Sequence, residues 1–203
     1  MDQTEESLKK GYRRLFAFLR PFISLMYPHK IYGQENIPEG PVIICANHSN
    51  LVDPLLIAMT FGKERFIRFM AKKELFSVPI VGRVLRACGV FPVDRQSNDI
   101  EAVRISMKSL KNGERVMIFP EGTRAGEDNS VEAKQGAIRI GAKLHVPLVP
   151  VYIPRHKKLF HHVDIVVGEP YLVEAKGRDE YDECANALME KISLLGEMIG
   201  AKV

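Results

Sequence analysis

Cysteine is scarce in this chain, with only Cys45, Cys88 and Cys184 among 203 residues. An odd number of widely spaced thiols with no Cys-x-x-Cys pair rules out a disulfide framework and offers no zinc site, which suits a reducing cytosol. Long apolar runs are missing as well. None approaches the roughly 18 residues that a membrane-crossing helix requires, so no spanning segment is expected. Asp2, Glu5, Glu6, Lys9 and Lys10 stand where a secretory signal would need an unbroken apolar core, so export is not expected either. Internal repeats and low-complexity tracts are absent, which excludes a repeat array. Nor is there a strong excess of one charge. A net charge of +4 suits an anionic lipid, a phosphorylated substrate or nucleic acid equally, and does not choose among them.

What is present is the balance of a folded domain, 46% hydrophobic and 27% charged, long enough to close a core without cross-links. The first segment has a pattern of its own. Wound as a helix at about 100° per residue, residues 8 to 27 place Leu8, Tyr12, Leu15, Phe16, Phe18, Leu19, Phe22, Ile23, Leu25 and Met26 on one half of the wheel. Lys9, Lys10, Arg13, Arg14 and Arg20 fall on the other half. Such a helix can pack on the protein's own core or lie in the headgroup layer of a membrane. The one-signed charge of the polar face favours the membrane. Pro21 removes a backbone donor and clashes one turn back, which predicts two short helices with a bend between them.

Downstream, short β-branched runs bounded by Gly, Pro or Asn predict strands at 42–46, 66–70, 90–93, 115–119, 148–153 and 163–167. Helices are expected at 54–61, 79–88, 99–111, 133–144 and 181–199, the third capped by Asn98 and stopped by Asn112-Gly113. Alternation of the two predicts a single-domain α/β fold with a mostly parallel or mixed sheet covered by helices on both faces. Ligands of such sheets sit beyond the strand ends, which directs the search for chemistry to the loops that follow the strands.

The first of these loops contains His48 and Asp53. A histidine can take a proton from an attacking hydroxyl, and a carboxylate on its other nitrogen fixes the tautomer. Five residues along a regular helix turn about 140° and rise about 7.5 Å, so the two side chains meet only if 48–53 is a loop. Asp53-Pro54 supports a loop there. It equally supports Asp53 as an N-cap for the next helix, with His48 an ordinary surface or core histidine. Further on, Phe119-Pro120-Glu121-Gly122-Thr123-Arg124 follows a strand. Glycine permits close backbone approach, exposed amides can meet phosphate oxygens, and Arg124 offers a planar fork. Glu121 would orient the arginine or bind a hydroxyl; a polar turn with a surface ion pair is the plainer alternative. A strand also delivers Asp94-Arg95 to its end, and Lys72 and Lys73 follow another. Arg155-His156-Lys157-Lys158 forms a cationic cluster that suits a lipid or carrier-protein contact, and His161-His162 has no metal-ligand partner.

Read together, four blocks resemble the glycerolipid acyltransferase family of 1-acylglycerol-3-phosphate O-acyltransferases. They are Asn-His-x-x-x-x-Asp-Pro at 47–54, Gly-x-x-x-x-Asp-Arg at 89–95, Phe-Pro-Glu-Gly-Thr-Arg at 119–124 and Val-Pro-x-Val-Pro at 146–150. They stand in the family's order, and the similarity covers roughly residues 30–170. The resemblance implies His48 as general base and Asp53 as its orienting partner. It implies an acceptor site lined by Lys72, Arg95, Glu121, Gly122, Thr123 and Arg124. The implied reaction moves a fatty acyl group from acyl-CoA or acyl carrier protein to the sn-2 hydroxyl of lysophosphatidic acid, with no other cofactor and no metal. Glycerol 3-phosphate or another lysophospholipid is the alternative acceptor, and hydrolysis of the thioester the alternative reaction. Nucleic acid is not an expected partner, since no recognised module is present. The implied organisation is a membrane-association segment over residues 1–29 and a catalytic domain over 30–203, held peripherally on the cytoplasmic face of an anionic membrane. Ala133 departs from the bulky aromatic that relatives often carry there.

Overall fold

The computed structural model describes residues 5–94, 99–122, 133–175 and 177–200. In chain order the elements are α1 (Glu5–Met26), β1 (His29–Tyr32), β2 (Val42–Ala46), α2 (Asp53–Phe61), β3 (Ile67–Arg68), β4 (Met70–Lys72) and α3 (Pro79–Ala87). There follow β5 (Phe91–Val93), α4 (Ile100–Lys111), β6 (Arg115–Ile118), α5 (Gly136–Leu144), β7 (Leu148–Tyr152), β8 (Val163–Val167) and α6 (Arg178–Glu197).

Six strands form one sheet in the order β1-β8-β7-β2-β6-β3, and β4 pairs with β5 in a separate parallel ribbon. Every pair in the large sheet is parallel except β7 with β8, so the sheet is mixed. β2 lies at its centre, with Ile44 opposite Met117 on one side and Val149 on the other. All five of its residues are buried, which explains an unbroken apolar run rather than an alternating one: a central parallel strand is covered on both faces.

Alternate residues of β2 feed two cores. Val42, Ile44 and Ala46 face a cluster with Ile23 of α1 and Leu56, Ile57 and Phe61 of α2. Ile43 and Cys45 face a second cluster with Leu110 of α4, Ala137, Ile138 and Ile140 of α5, and Leu188 and Ile192 of α6. Helices therefore cover both faces of the sheet, as expected from the sequence.

Four local expectations need correction. The run expected as one strand at 66–70 is two, β3 at the edge of the large sheet and β4 in the ribbon with β5. α1 is one continuous helix containing Pro21, not two. Tyr12 and Phe16 before the proline and Ile23 after it are all buried, so both halves are held against the same domain, and packing offsets the single backbone bond that proline removes. The cap of α4 is Asp99, whose carboxylate accepts the Ala102 N–H at 2.9 Å; Asn98 lies outside the described residues. β1 was not expected at all, because His-Lys-Ile-Tyr is short and mixed in polarity and owes its strand form to pairing with β8.

Candidate active site

Since β2, β6 and β7 run parallel side by side, their carboxyl ends open on the same edge of the sheet. From β2 issue Asn47 and His48, from β6 Phe119 and Glu121, and from β7 Arg155 and Lys157. Asn47 locks two of these ends together. Its side-chain amide donates to the Ile153 carbonyl at 2.7 Å, and its oxygen accepts the Ile153 N–H at 2.9 Å.

The imidazole and the carboxylate are in contact. His48 Nδ1 lies 3.0 Å from Asp53 Oδ2, with both residues buried, and the imidazole stacks on the Phe119 ring at 4.0 Å and 17°. The chain between them is a tight loop whose amides point inward, so Asp53 Oδ2 also accepts the Ser49 N–H at 2.8 Å and the Asn50 N–H at 2.7 Å. An N-cap role for Asp53 is thereby excluded. The helix begins at Asp53 itself, with Pro54 in its first turn, and the carboxylate serves the loop before the helix rather than the N–H groups within it. Loop and helix are thus ordered by one side chain.

Asp53 Oδ1 faces a cation the family blocks do not contain. Lys157 Nζ lies 2.9 Å away, and both side chains are fully buried. The ammonium also donates to Ser49 Oγ at 3.0 Å, to the Pro154 carbonyl and, at 3.5 Å, to the Arg155 carbonyl. Burial pushes the Asp53 carboxyl up, but His48, Lys157 and the loop amides outweigh it and hold the group below the usual carboxylate range. Burial lowers Lys157 from its ordinary value, with Asp53 opposing the shift.

Glu121 is nearly inaccessible. Its Oε2 accepts the His48 backbone N–H at 3.2 Å, and its Oε1 pairs with Arg155 Nη2 at 2.8 Å. Among the described residues, the arginine it pairs with is Arg155. Gly122 follows with φ near +67°, and the Lys134 side chain lies against it; a Cβ there would come within 3.0 Å of Lys134 Cε. Lys134 is tied to the same loop by its N–H, which donates to the Pro120 carbonyl at 2.7 Å. Ala133 packs against the second core cluster. Lys72 ends β4, half-exposed, with Glu74 at 3.6 Å. Arg95, Thr123 and Arg124 lie outside the described residues.

Sequence reasoning passed over Asn47, Phe119 and Ser49 and gave Lys157 only a generic cationic role. Ser49 and Lys157 stand 108 positions apart, and no spacing rule connects them. A lysine one turn beyond a strand end was the only available signal.

A buried imidazole tied to an anchored carboxylate, at the carboxyl edge of a mixed α/β sheet, has the geometry that general-base chemistry requires. The acyltransferase family model matches residues 29–154, and the chain belongs to that family. The 1-acyl-sn-glycerol-3-phosphate acyltransferase of Bacillus subtilis is 36% identical over 158 residues, covering 75% of this chain and 78% of that protein. The enzyme of the same name from Streptococcus pneumoniae is 33% identical, covering 70% of this chain and 55% of its own length. The crystal structure of the 1-acyl-sn-glycerophosphate acyltransferase PlsC from Thermotoga maritima superposes with a TM-score of 0.66 at 25% identity, covering 98% of this chain and 80% of that one. Among the described residues, no helix is long and apolar enough to cross a membrane.

Proposed function

We propose that the protein transfers a fatty acyl group from acyl-CoA or acyl carrier protein to the sn-2 hydroxyl of lysophosphatidic acid, giving phosphatidic acid, while held peripherally on the cytoplasmic face of an anionic membrane. The observation that carries this reading is the 3.0 Å contact between His48 Nδ1 and Asp53 Oδ2. With Nδ1 engaged by the carboxylate, the proton stays on that nitrogen and the Nε2 lone pair is left to receive one. His48 deprotonates the acceptor hydroxyl as it attacks the thioester carbonyl. The C–O ester bond forms, the C–S bond breaks, and the proton held on Nε2 passes to the departing thiolate. The thioester is already activated, so no covalent enzyme intermediate, metal or further cofactor is needed. Asp53, fixed by two amides and Lys157, steadies the imidazolium that forms in between.

The acceptor phosphate carries nearly two negative charges at neutral pH. Arg95 and Arg124 are assigned to it, with Gly122 and Thr123 offering backbone approach, Lys72 adding charge, and Glu121 holding the His48 amide in place. Fixing the phosphate places the hydroxyl beside His48, which removes the entropic cost of bringing the two together. The names of the bacterial relatives support lysophosphatidic acid as the acceptor.

The test is labelled lysophosphatidic acid incubated in liposomes with acyl-CoA or with acyl carrier protein thioester, alongside glycerol 3-phosphate as competing acceptor. Phosphatidic acid is the expected product. Preferential acylation of glycerol 3-phosphate would move the assignment to that acceptor, and free fatty acid released without any acceptor would make the protein a thioesterase.

A further inference from the structure

Two buried carboxylates stand beside His48, and each is matched by a cation from the same short stretch after β7. Asp53 Oδ2 meets Nδ1 of the ring, and Glu121 Oε2 accepts the His48 N–H. Lys157 Nζ lies 2.9 Å from Asp53 Oδ1, and Arg155 Nη2 lies 2.8 Å from Glu121 Oε1. The Phe119 ring stacked on the imidazole brings no charge. Residues 155–158 alternate in burial, so Arg155 and Lys157 turn inward while His156 and Lys158 face solvent. The family model ends at residue 154, and both cations lie just beyond it.

Asp53 Oδ1 accepts no hydrogen bond from any described residue, so among these residues the Lys157 ammonium alone offsets the charge on that oxygen. Desolvating a lysine is costly, and a buried ion pair is often no more stabilising than apolar side chains of the same volume. Stability therefore gives little reason for an ammonium in this place. Chemistry at the ring gives a better one. An unmatched carboxylate in a buried site favours imidazolium, and a ring that already holds a second proton cannot take one from a hydroxyl. With the ammonium on its far oxygen, Asp53 still orients the Nδ1–H and steadies the charge that develops during the reaction. It does not trap that charge beforehand.

We infer that Lys157 is a positioning residue of the reaction: paired with Asp53, it keeps the His48 imidazole free of a second proton at neutral pH and so able to act as base. This rests on the general-base reading above and adds to it a third residue, which acts through Asp53.

Two variants test it. Lys157→Met removes both charge and donors, whereas Lys157→Gln keeps an amide donor without the charge and is the milder change should the first fold poorly. Each is assayed with labelled lysophosphatidic acid and an acyl thioester in liposomes from about pH 5 to 9, with rates taken per folded protein by circular dichroism. The expected result is an acid limb of kcat displaced upward by about one pH unit, a loss of about tenfold on that limb that is regained as pH rises. KM for both substrates should stay unchanged. A native pH profile in Lys157→Gln overturns the inference. So does a loss of the same size at every pH, which makes the lysine purely structural. His48→Ala, run alongside, separates the two readings: if it keeps the native rate, the general-base reading itself fails, and if it is inactive while the lysine variants keep the native profile, only the role of Lys157 is lost.

Discussion

Lys157 is fully buried, donates to Ser49 and to the carbonyls of Pro154 and Arg155, and holds the dyad's carboxylate by an ion pair with Asp53. Lys157→Met leaves Asp53 Oδ1 facing no cation. Breaking a buried pair on one side costs about 3–5 kcal/mol, which urea unfolding should register. Adding Asp53→Asn should restore part of that stability without restoring acyl transfer; a double variant no more stable than the single one would contradict the pairing. Asp53 also sets a pH dependence. Its carboxyl titrates lower in the folded protein than the unfolded value of about 4. Its contribution is thus fully present above about pH 4 and is lost as pH falls through the folded value. The difference in unfolding free energy between the native protein and Asp53→Asn should shrink on acidification below about pH 4. A difference that stays constant there would contradict the assignment.

Among elements, α1 shows most clearly what a sequence pattern leaves open. Its apolar half-wheel was legible, but one arc of it faces inward through Tyr12, Phe16 and Ile23 while a neighbouring arc, Phe18, Phe22 and Leu25, faces solvent. Periodicity reveals that a face is apolar, not which partner covers each part of it. Gly11 fixes how α1 meets α3, since a Cβ at that position would stand 2.0 Å from the Ala87 carbonyl oxygen. Gly11→Ala should therefore force the helices apart at a cost of about 1–3 kcal/mol, visible as a lowered melting temperature, despite alanine's better helix propensity. An unchanged or raised melting temperature would show that the contact is not tight. The strands of the sheet centre were legible because their apolar runs are continuous. β1 was not, because its form comes from a partner more than a hundred residues away in the chain.

For the whole molecule, the parallel set β7-β2-β6 decides where chemistry can occur, because it brings three strand ends to one edge. His48 and Asp53 were legible as a pair because only a short loop separates them. Glu121 was legible as a polar residue beyond a strand, but its partnership with Arg155 and with the His48 amide depends on strand order, which local pattern does not encode. The same order ties the end of α1 to the turn at Phe160, and residues 155–157 to the dyad loop through Ser49.

The proposal that His48 is the general base is tested most directly by comparing the purified protein with His48→Ala, using labelled lysophosphatidic acid and an acyl thioester in liposomes and measuring phosphatidic acid. Removal of a general base lowers the rate by about 10²–10⁴-fold, and circular dichroism of the variant should match that of the native fold. Phosphatidic acid formed by His48→Ala at the native rate would contradict the account.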